Sequence, residues 1–175
     1  MKERVIAKYN PEYYDENGIY TKNEWDCFDD IGKIYDYKRL TFEDYYIVET
    51  NYVGFVLECL ELVNCKYLTV DWNLDFEKKY FRRAIKDICH LDLTFNEDEC
   101  LSLISEIETR QRVSVQKSIL LLRLMLRNAF NVSLCNKRKK IRFYMGYEYY
   151  LHFFTSLEKE VVKAIAEKHN LYLLW

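Results

Sequence analysis

Hydrophobic and polar positions along this chain switch between a spacing of two and a spacing of three to four, and the switches mark its elements. Residues 3–9 read as a short strand. Pro11 to Gly18 is polar and contains the turn dipeptide Asn17-Gly18. Thr21-Lys22-Asn23-Glu24 fits a capping box, so a short helix is predicted from Lys22 to about Ile31, ended by Gly32 and the charged stretch to Arg39. Thr41-Phe42-Glu43-Asp44 opens the clearest helix, running to about Val63. Its polar stripe falls at Asp44, Asn51 and Glu58, flanked by Gly54 and Glu61, and the remainder is apolar and aromatic. Lys66 to Trp72 alternates and is read as a strand. Helical spacing returns from Asp75 to Ile88, and Asn96 with Glu99 caps a further helix to about Gln111. Ser114 opens a helix to Phe130 that is apolar nearly all round and should be the central buried one. Lys139–Met145 and Glu148–Phe154 read as strands joined by a Gly146-Tyr147 turn. Thr155 with Glu158 caps a last helix to about His169, and Leu171 to Trp175 closes as a strand.

The sum is a single α+β domain over residues 1–175, helix-rich with a small, mostly antiparallel sheet. Composition agrees with one domain. Half of the residues are hydrophobic, and 4 Gly and 1 Pro leave little for long flexible linkers. The longest apolar stretch, Ile119 to Phe130, is interrupted by Arg123 and Arg127 and is too short to span a bilayer. The first residues, Met1 to Tyr9, carry no apolar signal core, so the expected location is cytoplasmic, with no membrane partner. The cysteines at 27, 59, 65, 89, 100 and 135 form no Cys-x-x-Cys pair and read as reduced, mostly buried thiols.

Charge changes the picture more than composition does. From Glu12 to Glu61 there are 13 acidic and 4 basic side chains, a local net of −9, whereas Thr109 to Tyr147 holds 10 basic side chains and no acidic one. The net charge of −2 conceals this division. Opposed fields bear on partners and association, not on fold.

Catalytic patterns are weak. Asp71, Glu77 and Lys79 loosely match the spacing of a metal-dependent nuclease, but a solvated helix face explains Glu77 and Lys79 better. His90 and His152 as an acid–base pair, and Cys89, His90 and Cys100 as a zinc set, both lack supporting spacing. No glycine-rich phosphate loop and no nucleophile elbow is present. The expectation is a protein that is not an enzyme and carries no metal or cofactor.

Two binding surfaces remain. Lys137, Arg138, Lys139 and Lys140 lead into Ile141-Arg142-Phe143-Tyr144, the mixture of basic groups and sheet aromatics that single-stranded nucleic acid binders use. A solvated turn before an edge strand is the preferred reading of the same residues. In the acidic segment, Trp25, Phe28, Tyr35, Tyr37, Tyr45 and Tyr46 are interleaved with Glu24, Asp26, Asp29, Asp30, Asp36, Glu43 and Asp44. Carboxylates around aromatic anchors suit a basic protein: the charges raise the association rate and buried rings slow dissociation.

Asn23-Glu24-Trp25, Asp30-Ile31-Gly32, Leu40-Thr41, Tyr46 and Glu49 together resemble the N-terminal pattern of immunity proteins from bacterial contact-dependent growth inhibition (CDI) systems. The resemblance covers roughly the first third of the chain. It implies an inhibitor that binds and neutralises a cognate toxin C-terminal domain, expected to be a nuclease, as a 1:1 heterodimer. The contacts expected from the acidic segment are Glu24, Asp26, Asp29, Asp30, Tyr35, Asp36, Tyr37, Glu43, Asp44 and Tyr45. Nucleic acid is not the expected partner. A nucleic-acid-binding module built on the basic 110–142 segment, with Lys137, Arg138, Lys139, Lys140 and Arg142, is the alternative.

Overall fold

The computed structural model describes residues 1–73, 78–107 and 110–174, and of these the side chains at 72, 73 and 78–80 are left aside. The chain folds as β1 (Lys2–Ala7), the short hairpin β2 (Ile34–Tyr35) and β3 (Lys38–Arg39), α1 (Phe42–Leu62), β4 (Tyr67–Asn73), α2 (Lys78–Leu91), α3 (Glu97–Glu106), β5 (Arg112–Ser114), α4 (Val115–Leu126), β6 (Val132–Asn136), β7 (Ile141–Met145), β8 (Leu151–Thr155), α5 (Lys159–Lys168) and β9 (Tyr172–Leu173). Seven strands make one sheet in the order β5-β4-β6-β7-β8-β1-β9, and every described pairing in it is antiparallel. The fold is α+β, as the pattern predicts. The sheet is larger than predicted, because β5 and β6 escape the sequence reading, as does the separate β2–β3 hairpin.

Each sheet face follows from period-two alternation. Ile6, Leu134, Phe143, Leu151 and Phe153 join one core cluster with helix residues such as Phe55, Val56, Ile85, Leu121, Leu122 and Val162. The alternate positions Thr69, Arg142, Tyr144, His152 and Phe154 are only half-buried. The sheet therefore has a helix-covered face and a second, partly open one.

The α1 N-terminus forms as predicted. The Thr41 hydroxyl accepts from the Asp44 N–H at 3.1 Å, and the Asp44 carboxylate accepts from the Thr41 N–H. Helix C-termini are set by asparagine. At the ends of α1, α4 and α5, Asn64, Asn128 and Asn170 take φ of 50°, 55° and 52°. The following N–H groups of Cys65, Ala129 and Leu171 reach back to Leu60, Leu124 and Ala166. These are Schellman turns, with Asn in the place glycine usually takes. The turn at Asn128 stops α4 four residues short of the predicted Phe130 and lets β6 begin at Val132. α4 is buried along most of its length, through Leu121, Leu122, Leu124, Met125 and Leu126.

Four predictions at element ends are corrected. The helix expected over 22–31 is absent, and only a single 3₁₀ turn, Phe28–Asp30, forms there. Glu24 does not return to cap the Thr21 amide. It meets the Lys8 ammonium at 3.2 Å and the Tyr20 hydroxyl at 2.8 Å instead. The helix expected to reach Gln111 ends at Glu106. Strands β7 and β8 are joined by residues 146–150, not by two residues, with Glu148 and Tyr149 both at positive φ. Thr155 closes β8, and Glu158 precedes α5 without a side-chain cap.

Candidate functional site

The acidic segment covers one side of α1, and its own ion pairs shape it. Chain reversal in the β2–β3 hairpin uses two central residues, Asp36 (φ 46°) and Tyr37 (φ 66°), the type I′ geometry that matches strand twist. Glycine or asparagine is the usual occupant there, because a side chain crowds the backbone at positive φ. Tyr37 nevertheless stands fully exposed at the tip, at 104% relative exposure. Asp36, Asp29, Asp26 and Glu43 are exposed around it in sequence, as is Glu24.

Asp30 has left the surface. It is buried, accepts from the Asp26 N–H at 3.0 Å and meets the Lys33 ammonium at 2.6 Å. Burial pushes its pKa up, but the Lys33, Asp26 and Tyr35 hydrogen bonds outweigh burial and hold the carboxyl at about 2. Tyr35 is half-buried against it. Asp44 is occupied by the cap and by Lys38 at 2.7 Å. Tyr45 is fully buried, so it is a core residue and not a contact for a partner.

Glu49, which the resemblance singles out, is also buried. Arg127 donates to it through Nε at 2.6 Å and Nη2 at 2.8 Å, and Nη2 reaches Asp92 at 2.9 Å. The Tyr45 hydroxyl donates to Glu49 at 3.0 Å, and Arg123 stands 3.7 Å away. The Arg127 guanidinium lies 4.1 Å from the Phe95 ring centre, with Phe28, Phe42 and Tyr45 farther out. Burial alone would lower the Arg127 pKa, and the Glu49 and Asp92 carboxylates reverse that, so it stays charged. Asp92 is likewise held below the ordinary carboxylate value: burial raises it, and the Thr94 and Arg127 bonds more than offset that. This network fastens α1, the end of α2 and the end of α4 together behind the acidic segment. Trp25 seals the edge, packing on Tyr45 and Tyr149.

The basic segment does not form one patch. Arg127 is in the core, Arg112 stacks on Tyr67, and Lys117 pairs with Glu106. Lys137, Arg138 and Lys140 are exposed and Lys139 half-buried on the β6–β7 turn. Arg142 lies on the partly open sheet face, bonded to Ser133 at 2.8 Å and 3.6 Å from Asp71. Beside it, Tyr144 stacks on His152 at 4.8 Å and on Phe154 at 6.1 Å.

A cavity of about 840 Å³ opens between the end of α4 and the β7–β8 connection, where Asp26 and Cys27 also reach. The loop is held firmly: the Tyr149 hydroxyl donates to Leu126 O at 2.7 Å, and the Tyr52 hydroxyl donates to Tyr149 O at 2.5 Å. Gly146 is required by its neighbour, since a Cβ there would lie 2.7 Å from the His152 ring. Sequence reasoning passed over Arg127, Asp92, Asn131 and Glu148. For Arg127 a signal existed, an arginine inside an almost wholly apolar helix, which must find a carboxylate.

Asp26, Cys27 and Asp30 place ligand atoms within 4.8 Å of one another. The Lys33 ammonium already fills the cation's place at Asp30, and burial pushes the Cys27 thiol up to about 11. Cys89, His90 and Cys100 form no such group among the described residues. Asp71 faces Arg142, and Glu77 and the Lys79 side chain lie outside the described residues. His152 donates to or accepts from Glu3 at 2.8 Å, while His90 is exposed at the end of α2. All six cysteines are free, four of them buried. No described helix is long and apolar enough to cross a membrane. Comparison with protein-family models, with curated proteins and with solved structures finds no match.

Proposed function

We propose that this protein is a non-enzymatic immunity protein of a CDI system, which binds a cognate toxin domain, a nuclease, as a 1:1 complex in the cytoplasm. The observation that carries the reading is Tyr37. A fully exposed aromatic side chain in a left-handed turn position costs stability and gains no contact within the chain. The whole Tyr37 ring is therefore open to a surface outside the chain. Its neighbours along the chain, Asp36, Asp29, Asp26 and Glu43, are exposed carboxylates that suit a basic partner, whose approach they steer and whose apolar surface Tyr37 anchors. The resemblance of the first third of the chain supports the same class of partner. The test is calorimetric titration with the toxin domain encoded beside this protein, at two salt concentrations. Tight 1:1 binding that weakens in salt, and weakens further in Tyr37→Gly, supports the proposal. An absence of binding removes it.

A second reading rests on the partly open sheet face. Tyr144, His152 and Phe154 stack on one another beside Arg142 and near the Lys137–Lys140 turn, a mixture of aromatic and basic groups of the kind that binds single-stranded nucleic acid. It requires oligonucleotide binding that falls steeply with salt. No mobility shift at low salt would end it.

A further inference from the structure

We infer that the cavity between the end of α4 and the β7–β8 connection is a receptor for one arginine side chain of a partner protein. As a toxin contact this rests on the function proposed above; as a guanidinium site it stands on the geometry alone. The lining carries two carboxylates, Asp26 and Glu148, and no Lys or Arg among the described residues. Three tyrosines, 144, 147 and 149, contribute rings, and Phe130 adds a fourth aromatic. Aromatic faces and carboxylates together favour a cation that sheds water easily, which describes guanidinium better than ammonium.

One lining residue carries an unmet acceptor beneath the cavity surface. Asn131 donates through Nδ2 to Met145 O at 2.6 Å, which fixes the amide, and its Oδ1 is buried with no hydrogen-bond partner among the described residues. A buried acceptor without a donor is costly, and a guanidinium offers five N–H groups in a planar fork. The rim is strained in the same place. Glu148 (φ 54°) and Tyr149 (φ 62°) are consecutive non-glycine residues in left-handed conformation. The Tyr149 and Tyr52 hydroxyl bonds keep that geometry in place. Tyr147 at the lip is 93% exposed, free to close over a bound side chain. Asp26 belongs to the acidic segment, so the cavity and the Tyr37 hairpin flank one continuous stretch of chain.

The probe is Nα-acetyl-argininamide, titrated into the ¹⁵N-labelled protein, with the neutral isostere Nα-acetyl-citrullinamide and with Nα-acetyl-lysinamide alongside. Saturable shifts at the Asn131 side-chain amide and at the amides of 128 and 146–149 are expected. The citrulline compound should bind at least tenfold more weakly, as should argininamide to the Asp26→Asn, Glu148→Gln variant. Both substituted residues are exposed, and an unchanged spectrum elsewhere verifies the fold. An absence of saturable shifts, equal binding of citrullinamide, or equal binding of lysinamide overturns the inference. No toxin is present in this experiment. Argininamide binding without toxin binding would therefore sink the immunity proposal alone, and toxin binding without argininamide binding would sink the cavity alone.

Discussion

Replacing Arg127 by Met removes one cation from a site that contains two buried carboxylates. Glu49 would lose two hydrogen bonds and Asp92 one, leaving Glu49 with the Tyr45 hydroxyl and Arg123, and Asp92 with Thr94. Breaking a buried ionic group from one side costs about 3–5 kcal/mol. A domain of this kind has about 5–15 kcal/mol in total, so about a fifth or more of the stability is at stake. With a urea slope of about 2 kcal/mol per molar, the unfolding midpoint should fall by about 2 M. Circular dichroism and tryptophan fluorescence in urea, at pH 7 and pH 5, measure it.

The pH dependence carries the mechanism. Without the Arg127 guanidinium, burial pushes the Asp92 pKa upward against the remaining Thr94 bonds. A raised group contributes its stability below the unfolded pKa and loses it as pH rises through the folded pKa. The deficit should therefore be larger at pH 7 than at pH 5. Adding Glu49→Leu and Asp92→Leu should recover most of the loss, because apolar replacement of a whole buried network is often neutral. An Arg127→Met protein within about 1 kcal/mol of the parent would refute the reasoning. So would a deficit identical at the two pH values.

Tyr37→Gly should raise stability by about 0.5–1 kcal/mol, since glycine accepts φ of 66° without strain, while speeding dissociation from a toxin domain. Urea melts and surface-binding kinetics together measure it; weaker stability with unchanged kinetics would remove Tyr37 from the interface. Asp30, held at about 2 against an ordinary 3.8, is a depressed acid. Its contribution is full above about pH 4 and disappears as pH falls toward 2. Asp30→Asn should flatten that part of the stability–pH curve, and an unaltered acid limb would contradict the Lys33 pairing. Thr41→Ala should cost about 1 kcal/mol through loss of the α1 capping box, read as a lower thermal midpoint, with no change in oligonucleotide or toxin affinity beyond that.

Where the chain carried its own local chemistry, the sequence was enough. The α1 start at Thr41, the amphipathic course of that helix and the strand alternation of β7 and β8 rest on neighbours within a few residues, and all appear in the structure. The asparagine turns at 64, 128 and 170 were legible in principle as well, since asparagine is the commonest substitute for glycine at positive φ. Taking only Gly and Pro as stop signals left α4 too long and hid β6. Charge segregation too was set by sequence alone, but its meaning was not. Tertiary contacts drew Asp30, Glu49 and Arg127 inward, left Tyr37 outside, and spread the basic segment over core, sheet and turn. The capping box at Thr21 failed because Glu24 found Lys8 and Tyr20 in place of the Thr21 amide. The cavity joins residues 26, 131 and 148, which no spacing connects. Local bonds depend on sequence separation and can be read along the chain, whereas burial and ion pairing depend on which distant segments the sheet order brings together, and only the folded molecule decides that.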